Sequence, residues 1–138
     1  MEPMRIQATV EYDPKFKTDC YASVKADFSN FELSFYVSTQ MALRQFMVFH
    51  GDKGFIEVKA PFNAGAYDHA EITLHNRDHS AAESFRFKDN QYTLQADNFV
   101  AATQGGDAPV FTLENSIANQ KVIDAIYKAG KKDGWVRV

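Results

Sequence analysis

Met4-Arg5-Ile6-Gln7-Ala8-Thr9-Val10-Glu11-Tyr12 alternates residue by residue, with Met4, Ile6, Ala8, Val10 and Tyr12 pointing one way and Arg5, Gln7, Thr9 and Glu11 the other. A period of two with one apolar row is the pattern of a strand covered on one face. It returns in residues 20–28, where Ala22, Val24, Ala26 and Phe28 oppose Tyr21, Ser23, Lys25 and Asp27. It returns again in residues 31–37, with Phe31, Leu33, Phe35 and Val37 on the inner side. Asp13-Pro14 and Ser29-Asn30 supply turn chemistry between these runs, the second short enough for a tight hairpin, so neighbouring strands are predicted to be antiparallel.

A fourth strand, Leu43 to His50, abandons alternation at Phe46-Met47-Val48-Phe49, which predicts burial on both faces. Gly51-Asp52-Lys53-Gly54 turns the chain into a strand over 55–60, and two more follow at 70–76 and 83–88. The last third changes period. Tyr92, Leu94, Ala96, Phe99, Val100 and Ala102 suit a helix stopped by Gly105-Gly106. Thr112 is placed to cap a second helix, with Glu114 at its positive end, an apolar stripe of Ile117, Val122, Ile123, Ile126 and Tyr127, and Lys128, Lys131 and Lys132 at the other end. Gly134 releases the chain into a short final strand. Strands followed by helices predict an α+β fold: a large, mainly antiparallel, open-faced sheet with two C-terminal helices packed on one face. The open face would carry Tyr21, Ser23, Ser34 and Tyr36 among Glu11, Lys25 and Glu32, a polar and aromatic surface suited to self-association.

With 138 residues, 45% of them hydrophobic, the chain is predicted to be a single domain over 1–138. The net charge of -3 arises from interspersed signs, with no basic block for nucleic acid or an anionic membrane. Cys20 is the only cysteine, so an internal disulfide is excluded. With no apolar run near the ~18 residues of a membrane span and no signal-peptide pattern after Met1, a cytoplasmic location is expected.

His69, His75 and His79 lie close in sequence, with Asp68 and Asp78 beside them, and raise the question of zinc. His75 falls mid-strand while His69 and His79 flank it in turns, so the spacing does not make them converge, and no metal site is expected. Cys20 shares a row with Ala22 and Val24 and reads as a small core residue rather than a nucleophile. Neither Gly51/Gly54 nor Gly105/Gly106 follows a parallel strand into a helix, so no dinucleotide cradle is expected.

The final third resembles the end of the glucose-fructose oxidoreductase, inositol dehydrogenase and MocA family. The resemblance rests on Tyr92, Gln95 and Phe99 in one helix, on Gly105-Gly106, and on Thr112-Leu113-Glu114-Asn115-Ser116. It continues through Asn119, Val122-Ile123 and Ala125-Ile126-Tyr127 to the closing Gly134-Trp135-Val136-Arg137-Val138. Upstream, Glu2-Pro3, the strand at Asp19, residues 31–38 and residues 51–58 look like the family's strand-turn-strand order. Order and spacing together cover nearly the whole chain.

The resemblance implies the C-terminal substrate and oligomerisation domain of a two-domain NAD(P)-dependent dehydrogenase acting on a sugar or polyol hydroxyl. Such enzymes carry an N-terminal dinucleotide-binding domain, a glutamate-lysine-proline motif and a catalytic histidine, none of which precedes Met1. It therefore implies a truncated chain that binds no cofactor, has no catalytic residue and is inactive alone. Its partners would be the missing N-terminal domain, a sugar-like small molecule and further copies in a homodimer or larger homo-oligomer. Residues 38–44 join two strands where relatives bring side chains towards substrate, which makes Thr39, Gln40 and Arg44 the substrate-facing candidates; a solvated loop is the alternative. A non-enzymatic assembly module built on the open sheet face is the other class of function compatible with the pattern.

Overall fold

A computed structural model of the chain describes residues 1–67 and 69–138. In chain order the elements are β1 (Arg5–Tyr12), β2 (Asp19–Asp27), β3 (Glu32–Ser38), β4 (Phe46–His50), β5 (Gly54–Lys59), a 3-10 turn (Ala64–Tyr67), β6 (Ala70–Asn76), β7 (Ala82–Phe87), α1 (Gln91–Thr103), α2 (Leu113–Ala129) and β8 (Val136–Arg137). The α+β class and the antiparallel pairing follow the sequence pattern. The hydrogen-bonded ladders group the strands by fours, β3-β2-β1-β8 and β4-β5-β6-β7, where alternation alone had one broad sheet. The two sheets lie in separate compact units, Met1–Met41 with Val110–Val138, and Ala42–Pro109.

In the first unit the register puts Ile6 opposite Ala26, Ala8 opposite Val24 and Val10 opposite Ala22, so the apolar rows of β1 and β2 form one continuous face. Thr112 caps α2 by accepting the backbone N–H of Asn115 at 3.3 Å. The helix then lays Val122, Ala125, Ile126 and Ala129 against that face, and Ile6, Val24, Ala26, Ala125 and Ala129 make the buried core. Its contacts with β1 and β8 are close because small residues line the crossing. Arg5 closes the edge by donating to Asp27 at 2.7 Å and lying 4.5 Å over the Trp135 ring.

One helix about 10 Å wide covers roughly two strands spaced ~4.8 Å apart. The inner row of β3 therefore differs from expectation. Leu33, Phe35 and Val37 align with Ala26, Val24 and Ala22, yet all three are exposed, Val37 by 55%.

In the second unit β4 to β7 form an antiparallel meander. Register separates its faces. One carries Glu57, Lys59, Glu71, Thr73, His75, Ser84 and Arg86; the other carries Met47, Phe49, Ile56, Val58, Ile72, Leu74, Phe85 and Phe87. The strand at 46–50, expected to be buried on both faces, is an edge strand with Phe46, Val48 and Phe49 exposed, Phe49 by 58%. Its unbroken apolar run reflects two different rows, not two covered faces. Asn90 caps α1 by accepting from the N–H of Tyr92 and of Thr93. Asn98 of α1 donates to the Pro109 carbonyl at 2.8 Å.

Gly130, just past α2, has an ordinary helical φ of -63°, so flexibility is not its role. An added Cβ would lie 2.7 Å from Val10 Cγ2 and 2.9 Å from Val10 Cβ, closer than packed carbons come. Gly130→Ala is expected to destabilise the chain by about 1–3 kcal/mol despite alanine's better helix propensity, the usual cost of overpacking. Urea denaturation checks this, and Val10→Ala in the same chain should recover part of the loss.

Candidate functional site

The polar face of the second sheet places side chains from three strands in rows. Lys59, Glu71 and Arg86 form one, because Lys59 pairs with Glu71 and Glu71 with Arg86 across β5, β6 and β7. Glu57, Thr73 and Ser84 form the next, and Phe55, His75 and Ala82 the third. Rows exist because side chains of a strand alternate between faces and opposed positions across a ladder share a face.

Glu71 is the centre of the first row, its side chain only 9% exposed. Lys59 donates to Oε1 and Arg86 Nε to Oε2 at 2.8 Å, while His69 Nε2 lies 3.6 Å from Oε2. The hydrogen bond from Lys59, then that from Arg86, holds the Glu71 carboxyl down to about 2 against an ordinary 4.5. Behind this row Thr73 and Ser84 share a hydroxyl hydrogen bond of 3.1 Å, and His75 Nε2 meets Glu57 Oε2 at 3.0 Å. The His75 ring stacks on Phe55 with centroids 4.3 Å apart, and its Nδ1 is buried with no hydrogen-bond partner. Gly54 sits beside it because a Cβ there would run into the His75 carbonyl oxygen.

Gln45 anchors the approach to the first row: its Oε1 accepts from the backbone N–H of Phe62 at 3.3 Å and of Asn63 at 3.1 Å. Gln91 Nε2 donates to the Phe62 carbonyl at 2.6 Å, tying the same loop to the start of α1. A cavity of about 410 Å³ opens among Gln45, Lys59, Ala60, His69, Glu71 and Arg86. A second, of about 480 Å³, shares Gln45 and His69 and extends to Asn63, Lys88, Asn90 and Tyr92.

The candidates named from sequence fall as follows. The Thr39 N–H donates to the Cys20 carbonyl at 3.1 Å, and Gln40 Nε2 donates to Asp13 Oδ2 at 2.7 Å. Asp13 also accepts from the N–H of Phe16 and Lys15, and these backbone bonds, with Gln40, lower its pKa. Thr39 and Gln40 thus cluster with Asp13 in the first unit, whereas Arg44 is in the second, its guanidinium 4.4 Å over the Phe46 ring. Tyr21, Ser23, Ser34 and Tyr36 share one face of the first sheet, where Tyr21 and Tyr36 stack with centroids 6.3 Å apart and Ser34 donates to Glu32 at 3.3 Å. His75 and His79 approach to 4.7 Å between ring centroids, while His69 lies by Glu71. Among the described residues no three His, Cys, Asp or Glu side chains converge as metal ligands; Asp68 lies outside them. Lys59, Glu71, Arg86 and Gln45 escaped the sequence reading. Their only signal was polar residues at every second position, which also describes an ordinary solvent-facing row.

Residues 4–138 match the oxidoreductase family's C-terminal alpha/beta domain, that of the Gfo/Idh/MocA proteins. The chain belongs to this family. An uncharacterized oxidoreductase of Rhizobium meliloti, ORF334, is 35% identical over 142 residues, covering 99% of the chain and 42% of that protein. The aldose-aldose oxidoreductase of Caulobacter crescentus, solved in complex with glycerol, superposes with a TM-score of 0.79 at 16% identity over 99% of the chain and 42% of its own. The 3-ketoreductase KijD10 of Actinomadura kijaniata, solved with NADP, superposes at 0.74 and 17% identity over 89% of the chain and 39% of its own. This oxidoreductase domain therefore spans about two fifths of the length of such relatives, and the structural likenesses confirm its fold.

The Glu71 carboxyl is more acidic folded than its ordinary 4.5, so its stabilising contribution is complete above that value and is lost as the pH falls towards about 2. Urea midpoints should drop across that window and drop less steeply in Glu71→Gln; parallel curves would show that the ion pairs contribute nothing to folding.

Proposed function

We propose that this domain forms a wall of the substrate cleft and an assembly surface in an NAD(P)-dependent oxidoreductase acting on a sugar or polyol hydroxyl. The observation that carries the reading is the family match over residues 4–138 combined with a span of 42% of the Rhizobium meliloti relative. The remaining length of such relatives is where a dinucleotide-binding domain and catalytic groups would lie. KijD10, solved with NADP, and an oxidoreductase named for aldoses support the choice of cofactor and substrate class.

Among the described residues neither glycine pair fits a nicotinamide cradle. Gly51 and Gly54 turn one antiparallel strand into the next, and Gly105 and Gly106 follow the end of α1 rather than opening a helix. The domain's own work is to bind and orient. Thr39, Gln40 and Arg44 are proposed as contacts to substrate hydroxyl or acid groups. A cytoplasmic enzyme accords with the free thiol of Cys20. No helix among the described residues is long and apolar enough to cross a membrane. Calorimetric titration of the 138-residue chain with NADH and NADPH is expected to give no binding, and micromolar affinity for either would overturn the division of labour. In the enzyme containing this domain, Arg44→Ala should raise KM with little change in melting temperature; an unchanged KM would place Arg44 outside the cleft.

A second reading, an assembly module, is favoured by the stacked Tyr21 and Tyr36 on the first sheet. A homodimer or larger homo-oligomer through the face bearing Tyr21, Ser23, Ser34 and Tyr36 is proposed, since stacked tyrosines among small polar groups suit a specific interface. Light scattering after size exclusion should show more than a monomer, and Tyr36→Glu should lower that mass; a mass indifferent to the substitution would defeat this face as the interface.

A further inference from the structure

We propose that Lys59, Arg86 and Gln45 form an oxyanion subsite in the cavity over β5 to β7, and that it takes the carboxylate of a polyhydroxy acid. The polyol skeleton rests on the reading of a sugar-like substrate above; the anion site itself stands on geometry alone.

Donors in the cavity outnumber its free acceptors. Among the described residues Glu71 is its only carboxylate, and both oxygens are committed, Oε1 to Lys59 and Oε2 to Arg86 Nε at 2.8 Å. Arg86 spends only Nε on that bond, so among the described residues its two terminal amino groups have no protein acceptor. The Lys59 ammonium likewise keeps N–H groups beyond the one directed at Glu71. Gln45 Oε1 is occupied by two backbone N–H groups, which leaves only its amide nitrogen, a donor, to a ligand. Unspent donors therefore surround an acceptor that is already satisfied.

Charge points the same way. Two cations flank one carboxylate that stays ionised at neutral pH, leaving the row formally positive. An ordinary surface pair exposes both partners. Here the carboxylate is buried while the Lys59 and Arg86 side chains, which line the cavity, are 63% and 68% exposed, so an incoming oxyanion reaches the cations without displacing Glu71. The planar terminal groups of Arg86 match a carboxylate bidentately, which a neutral hydroxyl cannot do. A space of about 410 Å³ holds a small acid, and the adjoining cavity that shares Gln45 leaves room for its hydroxylated chain.

The test uses the 138-residue chain with sodium gluconate, sorbitol and inorganic phosphate at matched ionic strength, followed by NMR of the arginine and lysine side chains. Gluconate is expected to shift the Arg86 and Lys59 signals saturably, and sorbitol, with the same carbon chain and no carboxylate, to leave them unmoved. Arg86→Lys retains the charge but not the fork and should weaken gluconate by roughly tenfold or more, the scale of one charge-assisted hydrogen bond. Should that variant misfold, Gln45→Ala replaces it, with weaker gluconate binding again expected. No saturable shift with gluconate, an equal response to sorbitol, or affinity untouched by substitution overturns the subsite. Binding of phosphate without gluconate overturns the polyhydroxy-acid assignment. Absence of nicotinamide-linked turnover in a longer chain would sink the enzyme reading without affecting this binding result.

Discussion

A carboxylate held between two cations at the centre of a sheet constrains more of this protein than any other single contact. Glu71 on β6 takes Lys59 from β5 and Arg86 from β7, and the three can meet only in one register. A slip of one residue would turn Glu71 to the apolar face and leave it unpaired between Val58 and Phe85. The same register lines up Thr73 with Ser84 and sets Glu57 diagonally within reach of His75, so polar pairing and strand order reinforce each other. The cavity over these rows exists because long cationic side chains stand at its rim while the carboxylate lies at its floor.

The first unit obeys a different constraint, the closeness of a helix to a sheet. Ala125, Ala129 and Gly130 let α2 approach β1 until Val10 touches the helix end, and Ile6, Val24 and Ala26 fill the space that remains. Close approach limits breadth. The helix reaches β1, β2 and β8 but not β3, and the apolar row of β3 stays in solvent. The second sheet likewise leaves Phe49, Leu74, Phe85 and Phe87 exposed. Clusters of that kind are the usual mark of surfaces that meet other protein, in keeping with a domain that spans about two fifths of its relatives' length.

Membership of an oxidoreductase family is compatible with the chemistry of the described residues. The glycines serve turns and a helix end, while the polar rows of the second sheet provide charge, hydrogen-bond donors and a cavity. Such a surface can hold and orient an oxygen-rich molecule.

The α+β class, the antiparallel pairing of β2 with β1 and β3, the caps at Thr112 and the end of α1 were all legible in sequence, because alternation, turn residues and caps act over a few neighbouring positions. The family was legible for a related reason: motifs from Tyr92 to Trp135 keep their order along the chain. The exposure of Val37 and Phe49 was not, since an apolar row announces that it prefers cover without saying whether a helix is wide enough to supply it. Nor was the Lys59, Glu71 and Arg86 row, whose members are separated along the chain by a turn, a loop and a hairpin. Each looks like a solvent-facing charge in its own strand. Only the pairing of three strands, a matter of hydrogen-bond register and not of local pattern, turns them into one buried carboxylate with two cations at the mouth of a cavity.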